Sequence, residues 1–197
     1  AMGSGIAQVA AEAGHQVVVY DTQQEALDRA AQKLKSLLAR LVEKGRRSSA
    51  EAEQLISRIY FTGNFEELSP AGLVIEAIVE DLVVKKEVFS RLESLLSLDA
   101  ILATNTSSLP VTAIAAACKN SERVIGIHFF NPAPLMQLVE IIPALQTGAS
   151  LTAKVKQLMF DWGNIMGHWL EQQLCPGKTD EKFFYFQRMD ASRVGFQ

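Results

Sequence analysis

Apolar positions recur along this chain at two different spacings, and their alternation sets the architecture. Leu27, Ala30, Leu34, Leu37, Leu38 and Leu41 fall on one stripe at helical spacing, which predicts a long amphipathic helix over 24–44. Gly45 is placed to end it, and Ser48-Ser49-Ala50-Glu51 offers an N-cap for a second helix. Between such segments lie short continuous apolar runs at 17–20, 59–62, 73–77, 101–104, 124–128 and 136–142. Runs this short, with turn residues around them, read as buried strands. Further helices are expected over 2–13, stopped at Gly14, and over 82–96, 111–118 and 151–162. Strands alternating with helices imply an α/β fold built on a doubly wound, mostly parallel sheet. No internal repeat or low-complexity segment interrupts the pattern.

Composition narrows the class. The chain has 197 residues, enough for one sizeable domain or one domain with part of a second. Hydrophobic residues make up 48% and charged residues 21%, an ordinary globular balance. A net charge of −3 argues against broad nucleic-acid binding, which needs a basic surface. No apolar run reaches the ~20 residues of a membrane span, and the small residues at the start, without a basic stretch before an apolar core, lead to the expectation of no signal peptide. Cys118 and Cys175 stand far apart without a CxxC partner, so no zinc or redox motif is expected and no metal is assigned. A reducing compartment fits best: the cytoplasm, with the mitochondrial matrix as the alternative.

The candidate chemistry follows the strands. Ser107 stands just after the run at 101–104, His128 ends the next strand with Asn131 beyond it, and Glu140 lies on the strand after that. In open α/β sheets, ligands bind beyond the carboxyl ends of the strands. Ser107, Asn131 and His128 are therefore expected to converge on one crevice, with Glu140 approaching His128. A histidine oriented by a carboxylate beside hydroxyl and amide donors is a general-base arrangement. His128 taken alone more often reads as a surface or satisfied core residue.

The opening of the chain carries a second signal. Ala1-Met2-Gly3-Ser4-Gly5 begins a helix, and Asp21 ends the strand that follows. This suits the tail of a dinucleotide fingerprint, with only its last glycine present as Gly3. A carboxylate at Asp21 can accept hydrogen bonds from ribose hydroxyls and would repel a 2′-phosphate, favouring NAD over NADP. The same residue also suits an N-cap for the helix after it.

Several phrases together resemble the L-3-hydroxyacyl-CoA dehydrogenases. They are Met2-Gly3-Ser4-Gly5-Ile6-Ala7-Gln8, Gly14-His15-Gln16-Val17-Val18-Val19-Tyr20-Asp21, Val74-Ile75-Glu76-Ala77-Ile78-Val79-Glu80, Lys85-Lys86, Thr104-Asn105-Thr106-Ser107-Ser108-Leu109 and His128-Phe129-Phe130-Asn131-Pro132-Ala133-Pro134. The resemblance runs from residue 1 to about Gly163 and implies a Rossmann-like NAD domain with a helical hairpin insertion. It implies NAD-dependent oxidation of a (S)-3-hydroxyacyl-CoA to the 3-oxoacyl-CoA, in fatty acid or related acyl-CoA metabolism. By resemblance His128 is the base, Glu140 its orienting carboxylate and Ser107 a substrate hydrogen-bonding residue. Gly3, Asp21, Ala77, Glu80, Lys85, Asn105 and Asn131 match positions that bind the cofactor. Plainer roles also fit: Glu80 and Lys85 as an exposed helix-end pair, Asn105 and Asn131 as turn residues, and Lys44, Arg46 and Arg47 as a solvated face.

The chain departs from the family pattern at both ends. The first strand and two fingerprint glycines are expected to be missing, leaving 1–163 as an incomplete NAD-binding domain and 164–197 as a divergent tail. Where family members continue through Thr-Pro-Gly-Phe to a catalytic Asn and a helical domain that dimerises, this sequence reads Cys175-Pro176-Gly177-Lys178. The helical domain is expected to be absent, the chain by itself weak or inactive, and a non-catalytic nucleotide-binding or structural remnant is the rival reading.

Overall fold

The computed structural model describes residues 2–168. Helix α1 (Met2–Glu12) leads into strand β1 (Val17–Tyr20), then α2 (Gln24–Glu43), α3 (Ser49–Ser57) and β2 (Ile59–Thr62). Strand β3 (Leu73–Glu76) follows, then α4 (Leu82–Leu95), β4 (Ile101–Thr104), α5 (Val111–Ala115), β5 (Val124–Phe129), β6 (Leu138–Pro143), α6 (Ala149–Asp161) and β7 (Ile165–His168). The expected tail thus begins as a strand; its residues from 169 on lie outside the described residues.

Local chemistry explains the element ends. Gly14 (φ +96°) and Gly45 (φ +65°) take the left-handed conformation that lets α1 and α2 stop. At each, the next residue's N–H reaches back to close the last turn: His15 to the Ala10 carbonyl and Arg46 to that of Leu41. Ser48 and Glu51 form the reciprocal capping box at α3. Asp81 caps α4 by accepting from the Val83 and Val84 amides.

The strands form two sheets. One has β1 beside β2; the other runs β3-β4-β5-β6-β7. Every pair is parallel except β5 and β6. That exception follows from the connection, since only a loop without a helix joins Phe129 to Leu138, and a parallel return needs a crossover of a dozen or more residues. Among the described residues β1 pairs with β2 alone and β3 with β4 alone, so each keeps one edge outside the ladders.

Helices cover both faces of the larger sheet. Phe89 and Leu92 of α4 and Val111 and Ile114 of α5 pack on Leu102 and Val124. On the other face, Ile6 and Val9 of α1 and Val155 and Met159 of α6 pack on Ile101, Ala103, Ile125, Ile127 and Ile141. Complete burial of side chains this size contributes roughly 1.5–3 kcal/mol each. Strand alternation then dictates where His128 and Glu140 go. Ile125, Ile127, Val139 and Ile141 face α1 and α6, so Gly126, His128 and Glu140 face α5. A side chain at Gly126 would meet Ile142 Cβ at 2.9 Å and Val111 Cγ2 at 3.0 Å, so the bare backbone there lets α5 seat against the sheet.

Candidate active site

β3, β4 and β5 run parallel, with Glu76, Thr104 and Gly126 side by side and β5 running on to Phe129. Because β6 returns antiparallel, His128 and Glu140 become direct cross-strand partners. His128 Nδ1 lies 2.7 Å from Glu140 Oε2. The side chains are 16% and 8% exposed, so water screens the pair only weakly. An ionised carboxylate only accepts hydrogen bonds, so this contact places the imidazole proton on Nδ1 and leaves the Nε2 lone pair outward. Phe130 packs against the imidazole, ring centroids 4.9 Å apart. Asn105 braces the same strand end, its side-chain oxygen accepting the Phe129 N–H at 2.8 Å. It therefore does more than make a turn.

Ser107 sits in the loop after β4, exposed, with no side-chain partner among the described residues. A carboxylate organises this loop. Glu80 Oε1 accepts from the Ser107 and Ser108 amides at 3.1 and 3.2 Å, from Ser108 Oγ at 3.1 Å, and from the Thr106 hydroxyl. Its other oxygen lies 3.3 Å from Lys85 Nζ. Desolvation pushes the Glu80 carboxyl up, but the Thr106 hydroxyl, the Lys85 charge and the Ser108 hydroxyl together hold it at about 2.

Lys85 departs most from a plain helix-end charge. Its side chain is 1% exposed and donates to Glu76 Oε1 at 2.7 Å. Glu76 is equally buried and also accepts from Ile78 N at 2.7 Å and Thr104 Oγ1 at 2.8 Å. The exposed-pair reading of Glu80 and Lys85 therefore fails, because the ammonium is enclosed between two carboxylates.

The remaining candidates lie apart from this network. Asp21 stands half-buried just past β1, and its Oδ1 accepts the Gln23 N–H at 2.9 Å. The N-cap of α2 is Gln23 itself, without a side-chain cap bond, so the capping role expected for Asp21 is replaced by this local turn. Its second oxygen accepts no hydrogen bond from the described residues, and a carboxylate so placed fits a ribose diol. Gly3 has open space around it, whereas a side chain at Gly5 would crowd Pro134 Cδ at 3.3 Å and Ala133 Cβ at 3.4 Å. Gly5 thus seats the loop after β5 on the first turn of α1. Ala77 is half-buried just beyond β3 and Asn131 is exposed in the loop after β5. Among the described residues no three His, Cys, Asp or Glu gather to hold a metal, and no helix is long and apolar enough to cross a membrane.

Sequence reasoning missed Glu76, Thr104 and Thr106, which tie the ends of β3 and β4 together. The signal available was a charge closing an apolar strand, Leu73-Val74-Ile75-Glu76, which demands a buried partner.

Comparison with known proteins identifies the domain. A family profile described as "3-hydroxyacyl-CoA dehydrogenase, NAD binding domain" matches residues 1–166. A probable 3-hydroxybutyryl-CoA dehydrogenase of Bacillus subtilis is 46% identical over 157 residues, 80% of this chain and 55% of that protein. A 3-hydroxyadipyl-CoA dehydrogenase of Escherichia coli is 44% identical over 162 residues, 82% of this chain and 34% of that protein. The crystal structure of a 3-hydroxybutyryl-CoA dehydrogenase from Escherichia coli superposes with a TM-score of 0.82 at 43% identity, covering 85% of this chain and 36% of that one. The chain therefore spans between a third and just over half of these relatives' length.

Proposed function

The chain belongs to the 3-hydroxyacyl-CoA dehydrogenases through its NAD-binding domain, and we propose that the whole protein oxidises a (S)-3-hydroxyacyl-CoA to the 3-oxoacyl-CoA. When bound, NAD+ serves as acceptor for the hydride leaving C3. Asp21 holds the adenosine ribose, and Gly3, in the first turn of α1, leaves the helix N-terminus open to the pyrophosphate. Ala77, Asn105 and Asn131, beyond the ends of β3, β4 and β5, line the same cofactor crevice.

The reacting proton belongs to His128. Its Nε2 takes the proton of the substrate's 3-hydroxyl, and the imidazolium that results is stabilised by Glu140 against Nδ1–H. In the reverse reduction the same nitrogen returns the proton. Ser107, with its unengaged hydroxyl, donates a hydrogen bond to the 3-oxygen. The observation that carries this reading is the 2.7 Å His128–Glu140 contact on β5 and β6, with the Ser107 loop following the neighbouring β4.

The substrate is an acyl-CoA, and partner subunits are met through the part of the protein beyond this chain. Residues 1–197 alone are expected to turn over weakly, because among the described residues β1 and β3 each keep an unpaired edge where the cofactor half of the site should be continuous. The test is an assay of the whole protein with acetoacetyl-CoA and NADH, beside this chain alone. Acyl-CoA-dependent NADH consumption by the whole protein is expected. Its absence would refute the activity, and equal turnover by the chain alone would refute the view that the rest is needed.

A further inference from the structure

The core-facing stripe of α1 runs through Met2, Gly5, Ile6 and Val9, the spacing that lines one helix face. Met2, Ile6 and Val9 pack on the larger sheet, and Gly5 alone on the stripe brings no side chain. Its backbone does not require glycine: the left-handed glycines among the described residues are Gly14, Gly45 and Gly163. Glycine inside a helix is also less stable than alanine. The demand comes from outside the helix. A Cβ at Gly5 would stand 3.3 Å from Pro134 Cδ, 3.4 Å from Ala133 Cβ and 3.8 Å from the Ala133 nitrogen. None of these atoms can turn away by a rotamer change. Pro134 Cδ closes a ring onto the backbone nitrogen, and Ala133 Cβ is bonded directly to its Cα. The backbone itself would have to give by a few tenths of an ångström.

We propose that Gly5 is a positioning residue for His128, its bare backbone setting how deeply the loop after β5 seats on α1. This rests on the proposed function, which puts the pyrophosphate at the N-terminus of α1 and the reacting proton on His128. The loop is held firmly between seat and base. The Leu135 and Met136 amides both donate to the Pro132 carbonyl, at 2.9 and 3.0 Å. Ala133 is 5% exposed and shares a core cluster with Ile6 and Phe129. The Phe129 N–H is fixed by Asn105 at 2.8 Å. Between them Phe130 lays its ring against the His128 imidazole, centroids 4.9 Å apart. A shift at Ala133 and Pro134 is therefore passed to Phe130 and the imidazole, while the first turn of α1 stays with the cofactor. The hydride leaves C3 and the proton leaves the oxygen on that carbon, so the base must keep its place relative to the acceptor. Small errors in that placement forfeit orientation and cost rate.

Gly5→Ala, Pro134→Ala and the double variant are made in the whole protein. Turnover is measured with acetoacetyl-CoA and NADH, NADH affinity by fluorescence titration, and the His128 ring resonances by NMR, assigned by their loss in His128→Gln. Gly5→Ala is expected to lower kcat about tenfold while NADH affinity stays within about threefold. In the Pro134→Ala background the ring that meets the new Cβ is gone, and the same change should cost less than about threefold. The His128 resonances should move in Gly5→Ala, and should coincide in Pro134→Ala and the double variant. Gly5→Val in the Pro134→Ala background rebuilds the collision with a larger side chain and should lower kcat again, so the contact is read even if Gly5→Ala alone fails to fold. Turnover of Gly5→Ala within about twofold of the parent, equal losses in both backgrounds, or NADH affinity falling in step with kcat would overturn the inference and leave the proposed function standing. A parent protein without acyl-CoA-dependent NADH consumption would refute the proposed function, and the His128 resonances would then still decide whether Gly5 seats the loop.

Discussion

Replacing Lys85 by Met should cost the fold far more than a surface charge change does. The ammonium and its Glu76 partner are 1% and 2% exposed, so Met would leave Glu76 as a buried carboxylate without its counter-charge. Breaking a buried pair from one side costs roughly 3–5 kcal/mol. Glu76 keeps two donors, Ile78 N and Thr104 Oγ1, which places the expected loss near the lower bound, about 3 kcal/mol. For a domain of this size that is a fall in Tm of roughly 6–12 °C. Glu76→Gln combined with Lys85→Met removes both charges, keeps a carbonyl acceptor for the Ile78 N–H while the Thr104 hydroxyl turns to accept from the amide NH2, and should recover about 2 kcal/mol. Urea unfolding of the four proteins of this cycle, with slopes compared for constancy, measures the coupling. A loss under about 1 kcal/mol for Lys85→Met would refute the reasoning, because it would match a solvated pair. So would additive single effects.

Three further outcomes follow from the site. Glu140→Gln should lower kcat by less than His128→Gln does while NADH affinity stays nearly unchanged, because the imidazole loses the carboxylate that orients it; full turnover would make Glu140 merely structural. Asp21→Ala should weaken NAD binding and reduce the preference for NAD over NADP; an unchanged ratio of the two dissociation constants would remove the ribose role. The Glu80 carboxyl is lowered in the fold from 4.5 to about 2, so its stabilisation is complete above the ordinary value and lost as pH falls through the lowered one. The stability gap between parent and Glu80→Gln, read by urea unfolding, should therefore narrow from about pH 5 to about pH 3, and a constant gap would contradict the assignment.

Helix ends were the most legible part of the fold, because their chemistry is local. Gly14, Gly45 and the Ser48–Glu51 box announce themselves within four residues of the positions they serve. Strand existence was legible from apolar runs, but strand direction was not. Nothing within 136–142 says that β6 runs against β5; only the length of the preceding loop does. The His128–Glu140 pairing was open to inference because it needs only two adjacent strands. The Glu80 loop clamp was not, since its bonds join residues 26 to 28 positions apart, beyond any periodic signal. Lys85 misled for a related reason. A lysine early in a helix ordinarily points to water, and only the buried carboxylate at the end of β3 draws this one inward.

The most direct measurement is the turnover of His128→Gln in the whole protein, taken with its NADH affinity. Gln fits the space but cannot take the hydroxyl proton. Turnover should fall by ~10²–10⁴ with NADH affinity nearly unchanged. Turnover close to that of the parent protein would show that His128 is not the base and that its contact with Glu140 serves only the sheet.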